Sequence, residues 1–290
     1  MMYYRRKVLL ALLEAFGGHL NNTDCEKYLF VFCSTTGKNH YDFFPYKFGP
    51  FSFVSYYDKR RLTELGLLKA AVNFQLNTSH SYIQELEPED RLALSQIVAS
   101  ELKGKKLIKY TYKQYPEYAA RSEVVENLFG PEEIEQIQSS WDTTPYVFTV
   151  GYEGLTIDSF LNKLIANNIL AIVDLRNNPQ SMKYGFSKKS FSKYIEKAGI
   201  AYFHIPELGI PSLLRKGLGT NISYDGLFNI YEIELLPKQG EKIKQLMNLI
   251  DLYPRIALVC FEADSHYCHR SRLVNQLQKK GSLSRQVINI

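Results

Sequence analysis

No stretch of this chain approaches the roughly 20 consecutive apolar residues that a membrane-spanning helix needs. Cysteine is scarce: the 290 residues hold four, Cys25, Cys33, Cys260 and Cys268, as two pairs with seven residues inside each. That spacing matches neither a dense disulfide framework nor a zinc knuckle, and free thiols are the expectation for an intracellular chain. Charge of one sign is also lacking. The formal net charge is +5, and residues 1–140 balance 17 Lys or Arg against 17 Asp or Glu. The excess lies wholly in residues 141–290, with 18 basic and 13 acidic residues, which suits an anionic ligand for that half. Arg5, Arg6 and Lys7 precede a short apolar run, as in a signal peptide. Glu14 breaks the run and no small-residue cleavage site follows, so an amphipathic helix and a cytoplasmic protein are expected.

What is present falls into two halves. Val8, Leu9, Leu12, Leu13 and Phe16 recur at helical spacing, and Gly17-Gly18 stops that helix. Asn22, Thr23 or Asp24 is a candidate cap for a second helix carrying Tyr28, Leu29, Phe32 and Cys33 on one face, where Cys25 and Cys33 serve as small core residues. An aromatic loop broken by Pro45, Gly49 and Pro50 leads to a helix over 52–65 and an apolar run suited to a strand. Helix, helix, aromatic loop, helix, strand is the order of a winged-helix-like domain, assigned here to residues 1–84. Lys59, Arg60 and Arg61 lie where a DNA-reading helix would sit, or on an ordinary solvated face beside Asp58 and Glu64. Residues 85–144 read as a helical connector, in which LIKYTY is taken as a short strand. The interleaved lysines and tyrosines around it could instead grip a single strand of nucleic acid.

From residue 145 to 290 strands and helices alternate, which predicts an α/β domain with a parallel sheet between two helical layers. Such sheets gather ligands at the carboxyl ends of their strands. There the sequence places Gly151, then Asp174 and Arg176, then His204, then Cys260 and Glu262, followed by Cys268, His269, Arg270 and Arg272 opening a helix. Asp174, Arg176, His204, Glu262, Cys268, His269 and Arg270 are expected to line one pocket. Gly151, Arg176, His204, Arg270 and Arg272 are assigned to ligand binding, with Arg176 and Arg270 facing an anion and Asp174 orienting one of them. Asp174, Glu262, Cys268 and His269 are assigned to catalysis, as acid–base groups or as a nucleophile whose pKa a helix N-terminus lowers. His204 lies within its strand and has a core reading beside the functional one. Neither cysteine has an arginine six residues on, so a C-x5-R phosphatase loop is excluded. Cys260, Glu262, His266, Cys268 and His269 put five possible metal ligands within ten residues. No metal is assigned, because Cys268 and His269 as helix neighbours would point roughly 100° apart.

The segments VGYEGLTIDSFLNKL, VDLRNNPQS, YFHIPELGIP and LVCFEADSHYCHRSRLV resemble, in order, the motifs of the domain-of-unknown-function 488 family. The resemblance covers nearly all of residues 146–290 and implies an α/β fold and a shared site, with no activity attached. Leu175 and Ile210 depart from the family pattern without touching a polar position. The stretch YDFFPYKFGPFSFVSYYDKRRLTELGLL is similar to the yGP segment of Panacea-type antitoxin and phage-associated proteins, which implies a partner macromolecule, protein or DNA. Two functional classes follow. One is an enzyme or sensor acting on a nucleotide or nucleic-acid phosphate, its N-terminal half recruiting the target. The other is a non-catalytic regulatory module, with a winged-helix DNA- or protein-binding domain and a ligand-binding α/β domain. The residues name no cofactor.

Overall fold

The computed structural model describes residues 2–138, 141–215 and 223–290. The chain divides into two compact units, Met1–Ser140 and Trp141–Ile290. No helix among the described residues is long and apolar enough to cross a membrane.

The first unit opens with α1 (Tyr4–Ala15), β1 (His19–Leu20) and α2 (Asn22–Thr36). The cap of α2 is Asn21, one residue before the expected candidates, and its side chain accepts the Asp24 N–H at 2.8 Å. The aromatic loop is a hairpin of β2 (Phe44–Tyr46) and β3 (Gly49–Phe51). Gly49 has φ +93°, and a Cβ there would meet the Tyr112 ring at 2.4 Å, so only glycine fits. Next come α3 (Phe53–Glu64), capped by Ser52, and β4 (Phe74–Gln75), which pairs with β1. The expected strand over 67–76 thus shrinks to two residues. Buried Asp58 receives Arg5 Nε at 2.6 Å, Arg6 Nε at 2.7 Å and the Tyr41 hydroxyl at 3.1 Å, tying α1 to α3.

Residues 85–138 differ from the expected connector. They form α4 (Pro88–Ala99), α5 (Lys105–Gln114) and α6 (Pro131–Gln138). Helix α4 buries Ala93, Leu94 and Ile97 and packs on α1 and α2, so this stretch belongs to the first unit. LIKYTY lies in α5, where Leu107, Thr111 and Tyr112 are the buried positions. That spacing follows a helical period rather than the alternation of a strand. The basic run of α3 has local partners: Arg61 pairs with Glu64, and Lys59 lies 4.5 Å above the Phe74 ring.

The second unit is the α/β domain that the alternation predicts. Its elements are β5 (Tyr146–Gly151), α7 (Ile157–Ala166), β6 (Ala171–Asp174), α8 (Lys188–Lys197) and β7 (Ala201–His204), then α9 (Ser212–Arg215), α10 (Tyr224–Ile230), α11 (Gly240–Leu252), β8 (Arg255–Cys260), α12 (His269–Lys279) and β9 (Val287–Asn289). The five strands are parallel, in the order β7-β6-β8-β5-β9, with β8 central. One sheet face buries Val147, Val173, Ile256 and Leu258 against Leu246 and Ile250 of α11 and Leu273 and Leu277 of α12. On the other face Phe191 of α8 meets Tyr202 of β7, and Phe160 of α7 meets Phe191. Period-two side chains on buried strands therefore need apolar residues at successive positions, as AIVD and RIALVC provide.

With its own sheet and two covered faces, a fragment beginning at Trp141 should fold alone. Far-ultraviolet circular dichroism and a cooperative melt are expected from it; an unfolded spectrum beside a folded full chain would refute the division.

Candidate active site at the carboxyl edge of the sheet

Parallel pairing brings the carboxyl ends of β5, β6, β7 and β8 to one edge, as expected. The predicted residues gather there, but in two clusters instead of one pocket. Asp174 is in register with Val259, whereas Cys260 is in register with Gly151. Residues in register share a face and successive residues alternate, so Asp174 and Cys260 project from opposite faces of the sheet.

The first cluster is built on Asp174. One carboxylate oxygen accepts Arg176 Nε at 2.8 Å and the Arg176 backbone N–H at 3.1 Å. The other accepts Arg176 Nη2 at 2.6 Å and the Tyr202 hydroxyl at 2.9 Å. Arg176 Nη1 donates to the Tyr152 hydroxyl at 2.8 Å and the Phe186 carbonyl at 2.7 Å. The guanidinium lies 5.0 Å from both the Tyr152 and Phe191 ring centres. Burial opposes its charge, but the hydrogen bond and charge of Asp174 outweigh that and raise its pKa. Burial, then the Asp174 charge and hydrogen bond, push the Tyr202 hydroxyl far up, so it stays a donor. His204 Nε2 contacts the Arg176 carbonyl at 2.9 Å, on the same face. Arg176 was expected to face an anion. Its donors are already engaged and it is buried, so that part of the expectation is corrected: Asp174 does hold an arginine, but to pin the loop after β6.

The second cluster joins two segments. Cys260 ends β8, and Glu262 follows two residues later. Cys260 Sγ stands 2.9 Å from Glu262 Oε2 and 3.5 Å from His269 Nδ1, and Cys268 Sγ is 3.9 Å from the same nitrogen. All four side chains place one donor atom within 4.8 Å of the others. The argument that kept Cys268 and His269 apart fails because Cys268 is not yet helical. It is the N-cap of α12, with φ −124° and ψ 136°, and this extended residue turns its thiol inward beside the imidazole. His269 is held edge-on to the Tyr231 ring at 5.6 Å, and its Nε2 is buried without a hydrogen-bond partner among the described residues.

Arg215, at the end of α9, closes the cluster on its open side. Its Nη1 reaches Glu262 Oε1 at 2.5 Å and its Nη2 lies 3.3 Å from His269 Nδ1. The Arg215 side chain is 32% exposed and that of Glu262 12%. Burial raises the Glu262 pKa, but the Arg215 charge and the hydrogen bonds from Cys260 and Arg215 bring it down to about 2. Burial likewise works against a Cys260 thiolate, while the hydrogen bond from Cys268 and the neighbouring His269 lower its pKa. Cys268 moves the other way, raised by burial and by Cys260. Burial and the neighbouring Cys260 thus both work against a thiolate at Cys268, the nucleophile that the sequence suggested.

Gly151 serves this cluster through close packing. A Cβ there would stand 1.8 Å from the Glu262 carbonyl oxygen, so glycine lets the loop after β8 cross the end of β5. Arg270 fixes the same loop, donating to the Glu262 carbonyl at 2.5 Å and the Ala263 carbonyl at 3.1 Å. It is buried, and its expected role facing an anion is corrected to a structural one. Arg272 is half-exposed, 3.7 Å from Asp225 and 3.8 Å from Glu232, and lies over the Phe228 ring. It lines a cleft of about 780 Å³ with His266, Tyr267, Ser271, Asn275 and Asn289. Arg215 and Tyr231 escaped the sequence reading. Neither is at a strand end, and SLLRKG and YEIELL hold no motif; only the fold brings them back to the edge.

Breaking a buried, fully paired cluster leaves an uncompensated charge, which costs about 3–5 kcal/mol. Arg176→Ala should therefore lower stability by about that amount in a denaturant titration. Arg215→Ala should change stability by about 1 kcal/mol or less, since its pair is partly in water.

No curated protein and no solved structure matches this chain. Residues 156–277 do match a family model, that of Domain of unknown function DUF488, and this span holds Asp174, Arg176, Arg215 and the whole Cys260–His269 cluster. The α/β domain is thus similar, from the start of α7 to near the end of α12, to the DUF488 family.

Proposed function

We propose that the α/β domain is an enzyme or sensor domain that takes a phosphate-bearing ligand, a nucleotide or a nucleic-acid segment, at the Cys260–Glu262–Cys268–His269 cluster. The observation that carries this reading is Arg215. It is a partly solvent-reaching guanidinium fixed over a buried set of carboxylate, thiol and imidazole groups. An arginine fork suits the planar, bidentate pairing that phosphate oxygens accept. Glu262, on whose oxygen Arg215 now rests, is the anion that a ligand phosphate would displace. Arg272 and the polar cleft beside α12 supply further contacts for a ligand larger than one phosphate. The basic excess of this half supports attraction of a polyanion.

In this reading the first unit recruits the target. Its helix, helix, hairpin, helix order suits a winged-helix-like module, and its resemblance to Panacea-type proteins suits a macromolecular partner. The rival is a regulatory module that binds the same ligand without turning it over. What favours the rival is burial, since Cys268 and His269 are almost wholly enclosed.

The test is a titration of nucleotides and of short single- and double-stranded DNA and RNA onto the full chain at two salt concentrations. Binding that weakens with salt is expected. Arg215→Ala should weaken it about tenfold or more, the effect of losing one charge-assisted hydrogen bond, with the melting temperature nearly unchanged. Absence of binding at low salt, or binding indifferent to Arg215→Ala, would exclude this reading. Turnover of the bound ligand would select the enzyme over the regulatory module.

A further inference from the structure

We propose that Cys260, Glu262, Cys268 and His269 are the four ligands of one divalent metal ion of the zinc class. This inference uses the geometry of the cluster and does not depend on what Arg215 binds.

The donor set comes first. Two sulfurs, one imidazole nitrogen and one carboxylate oxygen form the mixed set that a borderline metal accepts and that magnesium or calcium does not. Donor separation comes second. Zinc bonds of 2.0–2.3 Å in a tetrahedron put neighbouring donors about 3.3–3.8 Å apart. Here Cys260 Sγ is 2.9 Å from Glu262 Oε2 and 3.5 Å from His269 Nδ1, and Cys268 Sγ is 3.9 Å from that nitrogen. The four atoms already form a closed group within 4.8 Å, so little movement of the buried backbone is needed to admit an ion.

The division of Glu262 supplies a third observation. Oε2 faces the sulfur of Cys260 while Oε1 turns outward to Arg215, the arrangement of a one-oxygen ligand whose second oxygen is held from outside. Charge agrees. Two thiolates and a carboxylate around a dication leave one net negative charge, and Arg215 stands against it. Finally, the two ligand pairs sit on different segments: Cys260 and Glu262 at the end of β8, Cys268 and His269 at the start of α12. An ion joining them would fasten the intervening loop, which Arg270 and Ser271 otherwise hold through backbone carbonyls. His269 departs from the usual pattern in one respect: its second nitrogen has no hydrogen-bond acceptor among the described residues.

The experiment is elemental analysis of the full chain, purified under reducing conditions, loaded with zinc and dialysed. About one zinc per chain is expected to remain. Cobalt loaded in place of zinc should give the near-ultraviolet thiolate-to-metal charge-transfer band, and Cys260→Ser and Cys268→Ser should each weaken it and lose the zinc. Arg215→Ala should keep the metal, so loss of anion binding in that variant with zinc retained separates this inference from the proposed function. The wild-type measurement decides the matter even if a cysteine variant fails to fold. Wild-type chain that keeps no zinc and shows no cobalt–thiolate band overturns the proposal, as do cysteine variants that keep the metal.

Discussion

The hydrogen-bonded register of β6 on β8 governs the whole carboxyl edge of the second unit. Asp174 lies opposite Val259, so the next residue of β8, Cys260, must turn to the other face. The pleat allows no compromise, because a shift by one residue would carry every buried apolar side chain of β6 to the wrong layer. The edge therefore has two chemistries back to back. Asp174, Arg176, Tyr152 and Tyr202 close in on themselves among the aromatic rings of α7 and α8. Cys260, Glu262, Cys268 and His269 meet on the face covered by α11 and α12.

The arginines of this domain divide by what water can reach. Arg176 and Arg270 are buried with their carboxylate or carbonyl partners, and each pins a loop after a strand. Such groups hold geometry, since removing the partner of a guanidinium taken out of water leaves an uncompensated charge. Arg215 and Arg272 keep part of their surface in solvent and pair with Glu262 and with Asp225 and Glu232. A count of arginines near a helix N-terminus does not separate these roles. Their donors do.

Close approach of backbone is the other constraint on the site. The loop after β8 crosses the end of β5 only because Gly151 has no side chain, and Arg270 then clamps the loop from beyond. With the loop fixed there, Cys268 reaches the start of α12 in an extended conformation and its thiol falls beside Cys260 and His269. Cap geometry, more than helix periodicity, thus decides which side chains share the second cluster.

The sequence alone determined the elements of the α/β half and the edge on which its chemistry lies. Buried runs such as YVFTVG and RIALVC, separated by amphipathic helices, leave parallel pairing as the arrangement that covers both faces, and strand ends then collect the polar residues. It was equally clear in α1 to α3, where apolar spacing and turn residues agree. It misled at LIKYTY, where β-branched and aromatic residues suit a strand but burial follows Leu107, Thr111 and Tyr112 on a helix packed against α2. Only the tertiary structure decided that the candidate site is two clusters, that Arg215 and Tyr231 belong to one of them, and that Cys268 and His269 converge. Each of these depends on sheet register or on the return of a distant helix. Those are set by long-range packing, and no local pattern of residues encodes them.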